Sequence, residues 1–359
     1  MAEKKLRIGS IGLGGMGRVH LRANLANPRV EVVALCDIVI EKCAQRIKEF
    51  GLPENTPCYA DFREMIEKEQ LDAVDISTPN DFHSIIAVFA LEHGLHVFCE
   101  KPDAINPAEA IKMKEASEKA GKILHVMRNN RYYTHSQFTK KYIEDGNVGD
   151  IYCGRCGWIR RRGIPGKGGW FTTKAQSGGG PLIDLGVHLI DLSMWFMGNP
   201  KPVAVSGCTF SKFADNDAKA DSVHSAFGEA AEDGIFDVED LAMGFVRFDN
   251  GACLQIEFSW ASNIEEEKLF VELRGTKAGI SWDDSHVGFW GEDENGGLVD
   301  FRPKFHDIGN GHARALEHFS REVLDGAPMD YVPEQGVNMI KLLSAIYESA
   351  KTGREVVLD

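Results

Sequence analysis

Ile8-Gly9-Ser10-Ile11-Gly12-Leu13-Gly14-Gly15-Met16-Gly17 is the stretch on which the fold turns. An apolar run enters it, Gly12, Gly14 and Gly17 stand in a G-x-G-x-x-G spacing, and a helix-like segment from Arg18 to Asn27 leaves it. The first glycine allows a tight turn from strand to helix, the second lets backbone approach a pyrophosphate, and the third lets helix pack on strand. Backbone N–H groups at the helix start then hold phosphate charge.

That spacing alone is weak evidence; its context strengthens it. A second apolar run, Val30 to Cys36, ends in Asp37, 20 residues after Gly17. An acidic residue there accepts hydrogen bonds from the adenosine ribose hydroxyls of a dinucleotide. Ile38 follows, and no arginine stands beside Asp37 to receive a 2′-phosphate, so the residues predict NAD rather than NADP. The expected cofactor contacts begin with Gly12, Leu13, Gly14, Gly15, Met16, Gly17, Asp37 and Ile38.

A length of 359 residues predicts two domains, or one domain with a large appendage. The 54 acidic side chains outnumber the 40 basic ones, for a net charge of −14. This argues against a nucleic-acid partner, which usually meets a basic face. No apolar run has the length of a membrane span, and no signal-peptide pattern precedes the first strand. The chain therefore reads as cytoplasmic, its eight cysteines as reduced and buried, with Cys36, Cys99, Cys208 and Cys253 inside strand-like runs. Cys153 and Cys156 form a CxxC, but no second pair stands at zinc-ribbon spacing; they read as same-face or edge thiols, and no metal is expected.

Residues 6 to 127 alternate between strand and helix, which predicts an α/β Rossmann domain, a doubly wound parallel sheet, over residues 1–127. Ligands of such sheets bind outside the carboxyl ends of the strands. Ser77, Thr78, Pro79, Asn80, His83, Glu100, Lys101, Arg128 and Asn129 therefore join the expected cofactor set. Residues 128–359 read as an α+β substrate-binding and oligomerisation domain with a large, mostly antiparallel open sheet. Its strands are expected at 151–159, 203–210, 241–248, 252–260, 268–274 and 278–282, with a hairpin at Asp249-Asn250-Gly251. Helices are expected at 136–144, 180–196 and 314–324, and an exposed insertion at 212–234. A final helix and strand, 334–352 and 355–358, are expected to pack back on the first domain.

Two clusters carry chemistry. In Glu100-Lys101-Pro102, at a strand's carboxyl end, the lysine is placed beside a bound nicotinamide and the proline stiffens the turn. In the run Gly178 to Asp191, Pro181 suits a first helical turn, and Asp184 and His188, four apart, face the same way on one helix, with Asp191 along the stripe. As metal ligands the three lack a convincing fourth group. Arg160-Arg161-Arg162 and the glycine-rich loop to Trp170 offer groups for hydroxyls, a carboxylate, a phosphate or a stacked ring. Glu239, Asp240 and His312 are weaker candidates.

The first glycine motif followed by His20, the Glu100-Lys101-Pro102 tripeptide and the G-G-G-x-L-x-D-x-G-x-H-x-x-D run together resemble the glucose–fructose oxidoreductase / inositol dehydrogenase (Gfo/Idh/MocA) family along essentially the full chain. The resemblance implies a nicotinamide cofactor, a sugar, glycoside or cyclitol substrate and a homo-oligomer built on the open sheet. By motif position it implies that Lys101, Asp184 and His188 are catalytic. It also implies substrate or nicotinamide contacts from Arg131 and Tyr132, in an Asn-Arg-aromatic run, and from Trp170; Arg162, in the basic loop, is a further expected substrate contact on its own chemistry. The chemistry agrees: histidine has the intrinsic pKa of a base at neutral pH, and a lysine stabilises developing alkoxide charge. His188 is the expected base and Lys101 the polariser, the reverse assignment staying open.

The leading expectation is an NAD-dependent dehydrogenase of a ring hydroxyl, leaning to C3 of a glucose unit. Inositol oxidation, and a redox-neutral glycoside-processing reaction with recycled NAD, are the enzyme alternatives. A nicotinamide-binding sensor is the non-enzyme alternative; the intact Lys101, Asp184 and His188 set and the lack of a basic helix-turn-helix speak against it.

Overall fold

The computed structural model describes residues 4–214 and 228–358. The first sheet contains β1 (Leu6–Ile11), β2 (Val30–Cys36), β3 (Cys58–Tyr59), β4 (Ala73–Ile76), β5 (His96–Cys99) and β6 (Leu124–Val126). All are parallel, in the order β3-β2-β1-β4-β5-β6, the doubly wound order with its reversal between β1 and β4. The helices between them are α1 (Gly15–Ala26), α2 (Glu41–Phe50), α3 (Phe62–Lys68), α4 (His83–Glu92) and α5 (Pro107–Ala120). Local chemistry sets their ends. Asp61 accepts the Arg63 N–H at the start of α3, and Asn106 accepts that of Glu109 ahead of Pro107 in α5. Gly121 closes α5 at φ 62°, where a side chain would be strained.

The second sheet is built from β7 (Ile151–Ile159), β8 (Pro202–Phe210), β9 (Leu241–Phe248), β10 (Cys253–Ser259), β11 (Lys268–Gly275), β12 (Ala278–Trp282), β13 (Val287–Glu292), β14 (Leu298–Phe301) and β15 (Val356–Val357). They run in the order β14-β13-β12-β11-β7-β10-β9-β8-β15. Every pair is antiparallel except β7 with β10. With the sheet go α6 (Thr134–Glu144), α7 (Lys174–Ser177), α8 (Pro181–Asp184) and α9 (Gly186–Phe196). The expected single helix over 180–196 is broken at Leu185. Gly186 lies so close to Phe258 of β10 that an added Cβ would sit 3.2 Å from its ring, so the second piece packs tightly on the sheet.

Two expectations about the C-terminal segment are corrected. Helix α10 (Gly311–Asp325), read from sequence as part of the second domain, packs with the first sheet. Its buried face presents Ala315, Leu316 and Phe319, and the Phe319 ring lies 5.3 Å from that of Phe98 in β5. Arg29 clasps Asp325 through two bonds of 2.7 Å. The final strand, expected against the first domain, instead pairs with β8 at the edge of the second sheet. The compact units are Met1–Met127 with Gly311–Ile340, and Arg128–Asn310 with Lys341–Asp359; the last crossover falls inside α11 (Pro333–Thr352).

None of the eight cysteines forms a disulfide. Cys36 and Cys99 are buried as expected, Cys253 is half-buried, and Cys208 is exposed, because its position on β8 faces away from the helices. Cys153 and Cys156 do not share a face: three residues apart on a strand, they point oppositely, Cys156 inward. Of the 212–234 insertion, residues 215–227 lie outside the described residues. The following Gly228, Glu229, Ala231 and Gly234 press against Gly166, Gly168 and Gly169, and Ala231 donates its N–H to the Lys167 carbonyl at 2.9 Å. No helix among the described residues is long and apolar enough to cross a membrane.

Candidate active site

The glycine loop lies at the carboxyl end of β1. Gly12 adopts φ +84°, and a Cβ on it would come within 2.5 Å of the Ser77 carbonyl oxygen. A Cβ on Gly17 would strike the Gly12 carbonyl oxygen. Gly14 differs: among the described residues nothing stands within 4 Å of an added Cβ. Two glycines are thus required by the protein's own packing, while the middle one borders open space at the start of α1. Leu13 between them is pinned twice, its N–H donating to Asp37 Oδ2 at 2.8 Å and its carbonyl accepting from the Arg46 guanidinium at 2.9 Å. Asp37 also accepts from Val39 N–H at 2.9 Å, and Ile38 beside it is 85% exposed.

The neighbouring strand ends form the rest of this half. The buried Thr78 hydroxyl has no hydrogen-bond partner among the described residues. His83 is wholly buried, its Nδ1 2.8 Å from the Pro102 carbonyl and Nε2 3.1 Å from that of Thr78. It thereby ties the ends of β4 and β5 together, and burial pushes its pKa down. Behind Lys101 lies a chain of buried ionisable groups. His20 Nδ1 is 2.8 Å from Asp75 Oδ1, His20 Nε2 is 2.8 Å from Glu100 Oε1, and Glu100 Oε2 accepts the Lys101 backbone N–H at 3.0 Å. Burial alone would push the imidazole down, but the two carboxylates raise it to about 10. Burial would raise Glu100, yet the bond to His20 holds it well below the usual carboxylate range. His312, at the start of α10, has its ring 6.5 Å from that of His20. Burial lowers its pKa.

In the second unit, Asp184 ends α8 and His188 lies in the first turn of α9. The break at Leu185 removes the simple one-helix argument for their pairing. Asp184 is set instead by Trp260, a fully buried residue just past β10, whose indole N–H donates to Oδ2 at 2.9 Å. Trp158 of β7 brings its ring 6.2 Å from that of His188, and the Arg160 guanidinium lies 4.6 Å from the Trp158 ring. Burial lowers the Arg160 pKa, while Asp184 and Glu267 pull it back up. Glu239 holds this segment from below. It accepts the N–H groups of Gly180 and Leu182 at 3.0 and 3.1 Å and the Tyr347 hydroxyl at 2.9 Å. The glycines 179 and 180 allow that approach, since a Cβ on either would collide with Tyr347 or Glu239.

Several expected contacts have other tasks. Arg131 is 1% exposed and spends its guanidinium on Asp191, through Nε at 2.8 Å and Nη2 at 2.6 Å; Arg128 Nε reaches the same carboxylate at 2.9 Å. Asp191 is thus the anion of a buried arginine pair. Arg131 belongs to the core of this unit, and Tyr132 is buried with it. Asn129 beside them is buried too, with an Oδ1 that has no hydrogen-bond partner among the described residues. Arg162 bonds the Ser262 carbonyl and Asn263 Oδ1, both at 3.0 Å, and covers the Phe213 ring at 4.8 Å. Arg160 is the arginine near Asp184, and strand alternation holds the clue: it stands two residues after Trp158, so both face the same side. Trp170 sits in a short 3-10 turn, stacked on Phe171 with centroids 3.8 Å apart. The Asp240 carboxylate caps the backbone N–H groups of Lys212 and Phe213. The sequence reading passed over Trp260, Asp75 and Asn24, because apolar or strand-interior positions carry no local signal of a polar partner.

The residues fit an adenine dinucleotide: an open cradle at Gly14, a carboxylate at the end of β2 and an orphaned hydroxyl at Thr78. The comparisons agree. Residues 6–128 match the family described as "Oxidoreductase family, NAD-binding Rossmann fold", and residues 140–358 match its C-terminal alpha/beta domain. The chain is 33% identical over 360 residues to D-glucoside 3-dehydrogenase of Escherichia coli (strain K12), covering 100% of this chain and 99% of that protein. It is 29% identical over 288 residues to levoglucosan dehydrogenase of Pseudarthrobacter phenanthrenivorans (strain DSM 18606 / JCM 16027 / LMG 23796 / Sphe3), covering 77% of this chain and 73% of that protein. The crystal structure of GenD2 from gentamicin A biosynthesis, in complex with NAD, matches with a TM-score of 0.80 at 27% identity, covering 100% and 98% of the two chains. A glycine cradle closed by Asp37, an open antiparallel sheet and full-length likeness to dehydrogenases of this kind lead to one assignment: the chain belongs to the Gfo/Idh/MocA oxidoreductase family, with NAD as its cofactor.

Proposed function

We propose that this enzyme oxidises the C3 hydroxyl of a D-glucoside to the ketone. The observation that carries this reading is the 33% identity along the whole chain to a D-glucoside 3-dehydrogenase. NAD, when bound, supplies the hydride acceptor, and the residues to hold it are the Gly12–Gly17 loop, Asp37 and the Ser77–Asn80 segment. The protein's part is to move the hydroxyl proton and steady the oxygen. In this reading His188 takes the proton, Lys101 donates a hydrogen bond to the oxygen that loses it, and Asp184, fixed by Trp260, orients the imidazole or a neighbouring hydroxyl. Eight cysteines kept as thiols support a reducing, cytoplasmic setting.

The same reading gives the open face of the second sheet to a further copy of this chain. Register puts Cys208 opposite Met243 and Ser206 opposite Phe245, with Gln255 beyond, on one face that carries a shallow, largely apolar groove of about 430 Å³. Light scattering on the purified protein tests this; a monomer at micromolar concentration overturns it.

The activity test mixes protein and NAD with methyl and aryl glucosides, glucose, levoglucosan and myo-inositol and follows NADH absorbance. NADH formation with glucosides, and a 3-keto product by NMR, is the expected result. Preference for inositol overturns the substrate, and product without net NADH points to recycled cofactor. His188→Ala is expected to abolish turnover with NAD affinity intact; surviving turnover overturns its role as base.

A further inference from the structure

We propose that Asp75, His20 and Glu100 form a positioning chain that ties Lys101 to the helix of the glycine loop. The inference rests on the reading of Lys101 as catalytic. Three ionisable side chains in the core of one unit, with His20 1% exposed, require an explanation. Packing alone is served as well or better by apolar residues, because desolvating charges offsets what their attraction returns.

The bonding pattern is directional. Both imidazole nitrogens face carboxylate oxygens at 2.8 Å, so the ring donates at both and its orientation is fixed from two sides. Asn24 Nδ2 donates to the other Asp75 oxygen at 2.8 Å, so that carboxylate is held by two residues of α1. The second oxygen of Glu100 takes the backbone N–H of Lys101 at 3.0 Å. His20 and Asn24 are one helical turn apart on α1, the helix that begins at the glycine loop. An unbroken series of bonds thus runs from the body of α1, at His20 and Asn24, to the residue carrying the lysine. A shift of α1 is passed to the Lys101 backbone through two rigid groups, and the lysine's register against the cofactor half of the site depends on them.

A double-mutant cycle tests this, with Glu100→Gln made in the wild-type and Lys101→Met backgrounds. Glu100→Gln keeps the shape of the side chain and removes the charge that orders His20. The expected result in the wild-type background is a roughly ten- to hundredfold fall in kcat, with the NADH dissociation constant, read by NADH fluorescence, changed by less than about twofold. In the Lys101→Met background the same substitution is expected to cost less than about twofold. Equal losses in both backgrounds overturn the proposal, as does a parallel loss of NADH affinity. If Lys101→Met alone leaves kcat unchanged, the reading of Lys101 fails and the proposal fails with it, a result seen before the cycle is closed. Independently of activity, ¹⁵N NMR of histidine-labelled protein is expected to show the His20 ring protonated on both nitrogens at pH 8, with the signal lost in Glu100→Gln; a neutral tautomer at that pH overturns the chain.

Discussion

The indole N–H of Trp260 meets Asp184 Oδ2 at 2.9 Å, and both residues belong to the same compact unit. This bond is one of the contacts that direct the carboxylate. Trp260→Phe keeps most of the packing and removes the bond. A hydrogen bond to a charged group contributes about 1.5–3 kcal/mol, so kcat/KM for a glucoside is expected to fall roughly ten- to hundredfold while NAD affinity holds. Steady-state kinetics check this; an unchanged kcat/KM removes Asp184 from the catalytic set.

The three motif glycines separate into two kinds. Gly17→Ala forces a Cβ onto the Gly12 carbonyl and is expected to destabilise the fold by about 1–3 kcal/mol. Gly14→Ala meets no described neighbour, so its melting temperature is expected to stay within a degree or two while NAD binding weakens. Thermal unfolding with and without NAD separates the outcomes. Equal destabilisation by both changes contradicts the open cradle.

Asp191 answers two buried guanidiniums, those of Arg128 and Arg131. Asp191→Asn leaves both without their anion, and the expected loss is about 3–5 kcal/mol. Urea unfolding followed by tryptophan fluorescence measures it. A loss below about 1 kcal/mol, the range of an exposed pair, contradicts the buried arrangement.

In the first unit, Glu322 of α10 lies between His125, at 2.9 Å, and His318, at 3.3 Å. The bond to Glu322 raises the pKa of His318 above 6.5. Burial would raise Glu322, but the two histidines hold it below 4.5. The histidine's contribution to stability is complete below pH 6.5 and fades as pH climbs through its folded value; the glutamate's is complete above pH 4.5 and fades as pH falls through its folded value. His318→Gln is therefore expected to lower the melting temperature most near pH 5.5, with the gap closing toward pH 9. A constant gap across that range excludes a charged His318.

Legibility followed the distance over which each feature is decided. The bounds of α5, from Pro107 to Ala120, were readable because Asn106, Pro107 and Gly121 mark them locally. Five strands of the first sheet were readable because each is a short apolar run; β3, only Cys58–Tyr59 after Pro57, reads as loop. β13 and β14 were missed: they follow the polar turn at Asp283-Asp284-Ser285 and, with Gly288, Gly291 and Asp300 among them, lack an apolar run. The company kept by α10 was hidden as well, since its pattern shows only that one face is apolar. In the candidate site, Lys101, Asp184 and His188 stood out through motif spacing. The bond of Arg131 to Asp191 was not legible, because that carboxylate lies 60 residues further on.

The backbone leaves the first unit at Met127 and returns to it from Gly311 to Ile340. Chimaeras that exchange only the N-terminal 127 residues would therefore strip Phe98 of its Phe319 cover, leaving an oily scar prone to aggregation. An exchange that keeps each unit whole has to carry 311–340 with the first 127 residues and 341–359 with the segment 128–310.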